Sequence, residues 1–535
     1  MIAKPLPYLP PEILMLIAQH QSMADMVSCL QVCSAWHSAM IYKIWRQVHF
    51  WESEPEPPLI INPTMDALQH HQHFIRHLRV PESFANDYCS RLQPFLFVNV
   101  ESLEILCWSE ALSAAHFTLT RELEVLPSLE TIHLDSVDPT VVSWVLRSIS
   151  ALPKLTAIII KNTVIGRQSA LNLWRVLPQL KMLILEEVLF TDMTAVKETM
   201  ATTPLICPHL RILWLDLRDT DLDPFDQADL VLACPALGEL KWYSLSVHYY
   251  QFTSAFIRFN QALKEGRFPD LSIFRCRGDC LDTQIATVLQ SMRLVVELRS
   301  QANDFGPESF LALRPHFSRL AFLDVQNCED MTSTMVQTVL CSCPVLESLL
   351  VDWMWATDAI QEEEEEEEEE EYEVEDDDDD DGGEEVRRRK KKSTKKAWVC
   401  GSTLRHLCLS FRFREGETNL QPKVYESLAQ LTGLEGFMMA KRYRELEGEQ
   451  GLLLLLEHGL EKLTTWKILR YVNFIHDPLQ VLGETELAWM LEHWKDLNVV
   501  IGSTDHANLS TGLNADIQRR QIVFPDASPD EILEI

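Results

Sequence analysis

Glycine is scarce in this chain, 17 residues in 535. Loops that cradle phosphate need several glycines in one short stretch. Neither GxGxxG nor GxxxxGK[ST] occurs, and GxSxG and HExxH are absent as well. Those absences remove the commonest nucleotide-binding, serine-hydrolase and zinc-protease readings. No catalytic residue and no cofactor is therefore expected. No apolar run reaches the roughly 18 residues that a membrane-spanning helix needs. Leu452 to Leu456 is a short leucine run, read as a buried helix. The N-terminus lacks the basic-then-apolar layout of a secretory signal. Positive charge is also in short supply. With 47 Lys and Arg against 80 Asp and Glu, the net charge is −33. Nonspecific binding to nucleic acid or to an anionic membrane is disfavoured at that balance.

Thirteen cysteines are present, and their phase argues against metal or disulfides. Cys207-Pro208, Cys234-Pro235 and Cys343-Pro344 recur at one position of a repeating pattern. Free cysteine packs as a small buried hydrophobe. Cys276 and Cys280 have metal-like spacing, but no second pair or nearby histidine completes a site. His70, His71 and His73 fall in a connecting segment and are expected to be solvated.

The first fifty residues carry a dense pattern: Leu9-Pro10-Pro11-Glu12-Ile13-Leu14, Ile17, Asp25-Met26, Leu30, Val32-Cys33, Trp36 and Trp45. The prolines suit a helix's first turn, where an N–H is not needed. Ile13, Leu14 and Ile17 share one helical face. Ser22 and Asp25 have capping-box spacing for a second helix. Met26, Val27 and Leu30 give that helix an apolar side, and Trp36, Met40, Ile41, Ile44 and Trp45 do the same for a third. Three short helices bury little surface, so they should lean on a partner or on the rest of the chain. The segment resembles the F-box, the module by which ubiquitin-ligase adaptors dock onto a Skp-type linker. It departs from the family at Gln21, usually Leu, and at Ala18, often larger. The resemblance implies a linker-binding set of Leu9, Pro10, Ile13, Leu14, Met26, Leu30, Val32 and Trp36, with a cullin reached through the linker.

Beyond it a segment of the form L-x-x-L-x-L recurs. Copies include Leu129-Ile132-Leu134, Leu155-Ile158-Ile160, Leu180-Leu183-Leu185, Leu210-Leu213-Leu215, Leu320-Leu323-Val325 and Leu404-Leu407-Leu409. Most starts lie about 24–34 residues apart, close to the leucine-rich-repeat period. A proline often stands two residues before the first leucine, as at Pro127, Pro153, Pro178 and Pro208. Proline there ends the preceding helix and fixes the phase of the next strand. Leu320 to Thr332 resembles the cysteine-containing leucine-rich subtype often attached to F-boxes.

The repeat is interrupted. Glu362 to Asp381 is almost wholly acidic, and Arg387 to Lys392 with Lys395 and Lys396 form a basic block. Such blocks self-repel and cannot form a core, so an insert without fixed structure is expected. The basic block has the composition of a nuclear import signal, which leaves cytoplasm and nucleus both open.

The expected fold class is α/β, an N-terminal three-helix F-box followed by a leucine-rich solenoid, or horseshoe, with a disordered acidic/basic insert. The expected boundaries are 1–52 for the F-box, 53–74 for a linker and 75–355 for a first repeat block. The insert follows at 356–398, a second block at 399–505 and a tail at 506–535. Alternation along strands places Trp214, Lys241, Tyr243, Arg275, Arg277, Arg299 and Phe322 outward. Aromatic residues and arginine are enriched in binding hot spots. Arg275, Arg277 and Arg299 are expected to cluster and to grip carboxylates or phosphates of a protein substrate. The family resemblance implies a substrate adaptor that does no chemistry itself. The alternative is a leucine-rich scaffold outside any ligase, its N-terminal helices serving as a cap.

Overall fold

The structure is a computed structural model. It describes residues 9–49, 64–81, 98–106, 126–217, 221–244, 249–278, 280–360, 397–440, 450–475 and 480–504, with Leu513 and Ile517. The chain divides into two compact units, Met1–Cys280 with Ser291–Arg293, and Leu281–Gln290 with Leu294–Ile535.

The first unit opens with helices α1 (Pro11–Gln19), α2 (Met23–Cys29) and α3 (Ser34–Trp45). Pro11 begins α1 at the position where its missing N–H costs nothing. The Ser22 hydroxyl accepts the Asp25 backbone N–H at 3.2 Å, capping α2. Leu14 and Ala18 of α1 are buried, as are Met40, Ile44 and Trp45 of α3. The small side chain of Ala18 thus lies inside the bundle. Strand β1 (Gln47–His49) follows α3 directly and pairs in parallel with β2 (His77–Pro81), Val48 opposite Leu78. The helical module is therefore hydrogen-bonded into the repeats.

From there the parallel ladder runs through β3 (Ser102–Leu106), β4 (Thr131–Asp135), β5 (Ala157–Lys161) and β7 (Met182–Phe190). It continues into β8 (Ile212–Leu217), β9 (Glu239–Ser244) and β10 (Ile273–Arg277). The short β6 (Val164–Ile165) flanks β7. One register line, Leu103–Ile132–Ile158–Leu183–Leu213–Leu240–Phe274, is almost wholly shielded from solvent. Each fully buried side chain of this size contributes about 1.5–3 kcal/mol. Parallel neighbours need a crossover, and helices such as Pro139–Ser148, Arg167–Val176 and Pro224–Leu232 supply it. Asp138 and Asp223 stand just before two of the prolines and accept helix N–H groups.

The second unit repeats the arrangement with β11 (Glu297–Gln301), β12 (Phe322–Asp324), β13 (Ser348–Trp355) and β14 (His406–Phe413). Then come β15 (Gly436–Met438), β17 (Tyr471–Asn473) and β19 (Val499–Ile501), while β16 (Gln450–Gly451) lies antiparallel to β14. Strands β18 (Val481–Leu482) and β20 (Ser503–Thr504) form a separate pair. The shielded line here is Leu298–Leu323–Leu349–Leu407–Phe437–Val472–Val500.

A left-handed residue recurs seven positions after the first apolar residue of a repeat (Leu129, Leu155, Leu180, Val295 and Leu320): Ser136, Asn162, Glu187, Ala302 and Asn327, with φ between 48° and 60°. In three of them the N–H donates to a carbonyl of the next repeat: Ser136 to Lys161, Asn162 to Glu186 and Ala302 to Gln326. Asparagine tolerates this conformation, whereas alanine and glutamate are strained in it.

Several expectations need adjustment. Met65–His71 is a helix inside the proposed 53–74 linker. His71 is half-buried there and its ring lies 4.6 Å from that of Trp45. Burial and the neighbouring His70, His73 and His37 push the His71 pKa down. Ala356–Ala359 is helical and Trp398 is buried, its indole N–H donating to Gln337 at 2.9 Å. Packed chain thus extends into both ends of the 356–398 span. Leu452 to Leu455 is not helical; Leu452 and Leu454 are buried. The acidic run and the basic block at Arg387 to Lys396 lie outside the described residues, as does the tail apart from Leu513 and Ile517. The described cysteines are free thiols, Cys207, Cys234, Cys276, Cys280, Cys328 and Cys343 all buried. Among the described residues no metal-ligating cluster occurs, and no helix is long and apolar enough to cross a membrane.

Candidate functional site

The residues read from the sequence as binding candidates fall on two surfaces, the outward face of the strands and the N-terminal helices. In the first unit, register aligns Trp214, Lys241 and Arg275 across β8, β9 and β10, and Asp216, Tyr243 and Arg277 one step further along. Lys241 and Arg275 are engaged within the molecule. Lys241 is only 9% exposed. Its ammonium lies 3.3 Å from Glu186 and 3.3 Å from Asp216, and 4.5 Å from the centre of the Tyr243 ring. Arg275 pairs with Glu239 at 3.3 Å and lies 5.0 Å from the Trp214 ring centre. The Trp214 indole N–H donates to the same glutamate at 2.7 Å. Arg277 is exposed. Burial pushes the Asp216 pKa up, with Lys241 only partly offsetting it. Burial acts on Glu186 in the same sense, but Lys161 and Lys241 overcome it and hold that carboxyl low.

Arg299 and Phe322 belong to the second unit. Arg299 pairs with Glu297 at 2.7 Å and stacks 4.2 Å from the Phe322 ring centre. Arg275 and Arg299 thus each have a glutamate of their own, Glu239 and Glu297, while Arg277 is exposed. Alternation names the face on which a side chain stands, but not the acidic neighbour that neutralises it. Beside Arg299, Asp324 is 1% exposed and accepts from Gln301 at 2.6 Å and from the Gln326 backbone. Burial raises its pKa to about 6, and that of Asp352 to about 6 as well.

The N-terminal helices are different in character. Ile13, Met15, Leu16, Val27 and Val32 are all exposed, Leu16 and Val32 each at 52%. Single exposed apolar side chains are ordinary, whereas a concentration of them marks an interaction surface. The described part of this bundle leaves five uncovered within residues 13–32.

An F-box-like family model matches residues 6–51.

The F-box-like segment covers less than a tenth of the chain. No curated protein matches the chain. Among solved structures it is similar to the yeast complex of Rad7 and Elc1, at 10% identity over 87% of this chain and 87% of that one, with a TM-score of 0.41. It is also similar to an internalin from Listeria monocytogenes, at 10% identity over 76% of this chain and 89% of that one, with a TM-score of 0.32. At such scores the strand register carries the fold, and the likeness adds no argument about function.

Within the F-box-like segment the residues read from the sequence as linker-binding separate into groups. Ile13 and Val32 are exposed, as is Pro10, while Leu9, Leu30 and Trp36 are half-buried. Leu14 and Met26, at 1% and 5% exposure, are core residues that hold the helices together. They face inward because α1 and α2 both pack on α3, which takes one apolar side of each. Met15, Leu16 and Val27 are exposed in their place. Met15 and Leu16 adjoin the sequence-read set, but a helical wheel alone does not say which of two apolar sides meets the bundle.

Proposed function

We propose that this chain is a substrate receptor of a Skp–cullin–F-box ubiquitin ligase. The observation that carries the reading is the coincidence of the F-box-like match at residues 6–51 with the exposed side chains of Ile13, Met15, Leu16, Val27 and Val32. A Skp-type linker with an apolar surface would cover them and bring the cullin with it. The strand repeats would hold a protein substrate. Catalysis would belong to the conjugating enzyme that the cullin recruits, and this chain would contribute position. Stacked repeats in which each unit contacts its neighbours form an extended scaffold for that task, and holding a lysine near the reactive centre is itself a large part of such a rate. The basic block Arg387 to Lys396 would admit the receptor to the nucleus, so that cytoplasm and nucleus are both its compartments.

The test is capture from purified components. The full chain, immobilised, is expected to retain a Skp-type linker, and through it the cullin, in stoichiometric amount. No retention of the linker would remove the ligase reading and leave a leucine-rich scaffold.

A further inference from the structure

From Pro139 to Leu185 the first unit carries six Lys and Arg and neither Asp nor Glu, in a chain of net charge −33. The fold sorts these cations. Lys161 pairs with Glu186 at 2.8 Å, and Arg167 opens a helix near Asp192. The other four, Arg147, Lys154, Arg175 and Lys181, gather at the end of the repeats where the strands begin. Arg147 and Arg175 stand in the last turns of helices Pro139–Ser148 and Arg167–Val176, which pack on each other. Each helix runs through a short 3-10 turn, Ile149–Ala151 or Leu177–Gln179, toward the next strand. Lys154 and Lys181 lie on those two approaches, before β5 and β7. Arg211, immediately before β8, continues the row. Its N–H donates to the Lys181 carbonyl at 2.8 Å, and the Lys181 N–H donates to the Thr156 carbonyl at 2.7 Å. Lys181 and Arg211 therefore stand on neighbouring strands, about 4.8 Å apart.

Arg147, Lys154, Arg175, Lys181 and Arg211 are all exposed. Among the described residues none of the five enters an ion pair, unlike Lys161, Lys241 and Arg275. Arg147 and Arg175 offset the partial negative charge of their helix ends. That role does not extend to Lys154, Lys181 and Arg211, which lie outside the helices. Like charges set side by side repel one another, and an anionic ligand would relieve that repulsion. The backbone beneath them is firm, because Pro153, Pro178 and Pro208 fix their φ angles. The row is bounded by the exposed Glu130 on one side and by Gly238 on the other.

We propose that this rim of the first unit binds a short acidic segment of a partner protein, its carboxylates seated on Lys154, Lys181 and Arg211. The three strand starts span about 10 Å, which is about three residues of extended chain. A segment of that length meets the cations and ends where they end. Nucleic acid fits less well, because a polyanion that runs past the rim meets the field of a chain at −33. The chain also carries an acidic run of its own, Glu362 to Asp381, which is a competitor for the rim. The inference does not depend on linker docking by residues 6–51, and each can fail without the other.

The test uses the full chain and labelled peptides in fluorescence anisotropy, one rich in Glu and one with Gln in place of each Glu. The Glu peptide should bind at least tenfold more tightly than the Gln peptide. Lys181→Gln with Arg211→Gln should weaken that binding at least fivefold at an unchanged melting temperature. If that pair unfolds, Lys154→Gln alone decides, with an expected loss of at least twofold. Lys467→Gln with Lys495→Gln removes two exposed cations of the second unit. It makes the same change in net charge and should leave binding unaltered. Equal weakening by the two double variants would overturn the proposal, since the peptide would then sense only the field of the whole chain. Equal binding of the two peptides would overturn it too, as would tighter binding of a single-stranded DNA of the same length. So would binding that appears only when the acidic residues of 362–381 are replaced by Gln and Asn, since the chain's own run would then be the occupant.

Discussion

The Asp282 carboxylate accepts the backbone N–H of Gly306 at 2.9 Å, across 24 residues of sequence. It also accepts the N–H groups of Glu308 and Ser309, at 2.9 and 2.8 Å. The helix Pro307–Leu313 has glycine at its own N-cap and no capping side chain there. Asp282, from the preceding repeat, performs that task and ties two repeats together. Burial works against its charge, but the hydrogen bonds from Ser309, Glu308 and Gly306 prevail and hold its pKa below the ordinary value. Asp282→Ala is expected to lower stability by about 1–2 kcal/mol. The sign with pH follows from the depressed pKa. The contribution is present above the unfolded-state value and is lost as pH falls through the folded one. Urea unfolding of the two proteins at pH 7 and pH 3 checks this; the gap should shrink at pH 3.

Lys241 stands between Glu186 and Asp216 with little access to water. Lys241→Met removes the charge that both carboxylates share, at a cost of about 2–3 kcal/mol at pH 7.5. Without the ammonium both carboxyls take up protons at higher pH than before, so the variant should recover part of the loss at pH 5. Thermal melts at the two pH values decide. A variant as stable as the parent would mean that the ion pairs are offset by other terms.

Asp324 has the opposite sign from Asp282. Its folded pKa, about 6, lies above its ordinary value of 3.8, chiefly because it is buried. The native state therefore holds more protons than the unfolded one between those limits. Its stabilising contribution is full below about pH 4 and is lost as pH rises through 6. Asp324→Asn should raise the melting temperature by a few degrees at pH 7.5 and flatten the pH dependence between 4 and 6. A lower melting temperature with the dependence retained would show that the charged form is preferred in the fold.

Much of the repeat architecture is legible in the sequence, because a solenoid writes its core at fixed spacing. Leu129, Ile132 and Leu134 are all buried, and so are the corresponding residues from Leu155 to Leu404 named with them. Cys207, Cys234 and Cys343 follow the same phase inward. The capping role of Ser22 is legible too, since its partner is three residues away. What the sequence hides are contacts set by register. Lys241 and Glu186 are 55 residues apart, and nothing local marks them as a pair. Periodicity likewise shows that α1 and α2 are apolar, but α1 presents apolar residues on more than one side. Only packing on α3 selects Leu14 and Met26 for the interior and leaves Leu16 and Val27 in water.

The left-handed turns carry a small reserve of strain. Ala302, at φ 52° and exposed, has a side chain that gains nothing from that conformation. Asn162 and Asn327 occupy the same repeat position. Ala302→Asn should stabilise the protein by about 0.5–1 kcal/mol, read as a higher midpoint in urea at an unchanged slope. A lower midpoint would mean that the turn is not strained.

The most direct test of the central claim is the affinity of the full chain for a purified Skp-type linker, measured by titration calorimetry with surface variants of the F-box-like segment. Leu16→Asp with Val32→Asp changes two side chains that are each half in water, so the fold should survive, as far-UV circular dichroism and an unchanged melting temperature would verify. The expected result is tight binding by the parent chain and at least a hundredfold loss in the double variant, since two apolar contacts of about 1.5 kcal/mol each are lost and two charges are set against an apolar surface. Undiminished affinity in the folded double variant, or no heat with the parent chain, would contradict linker docking by this face.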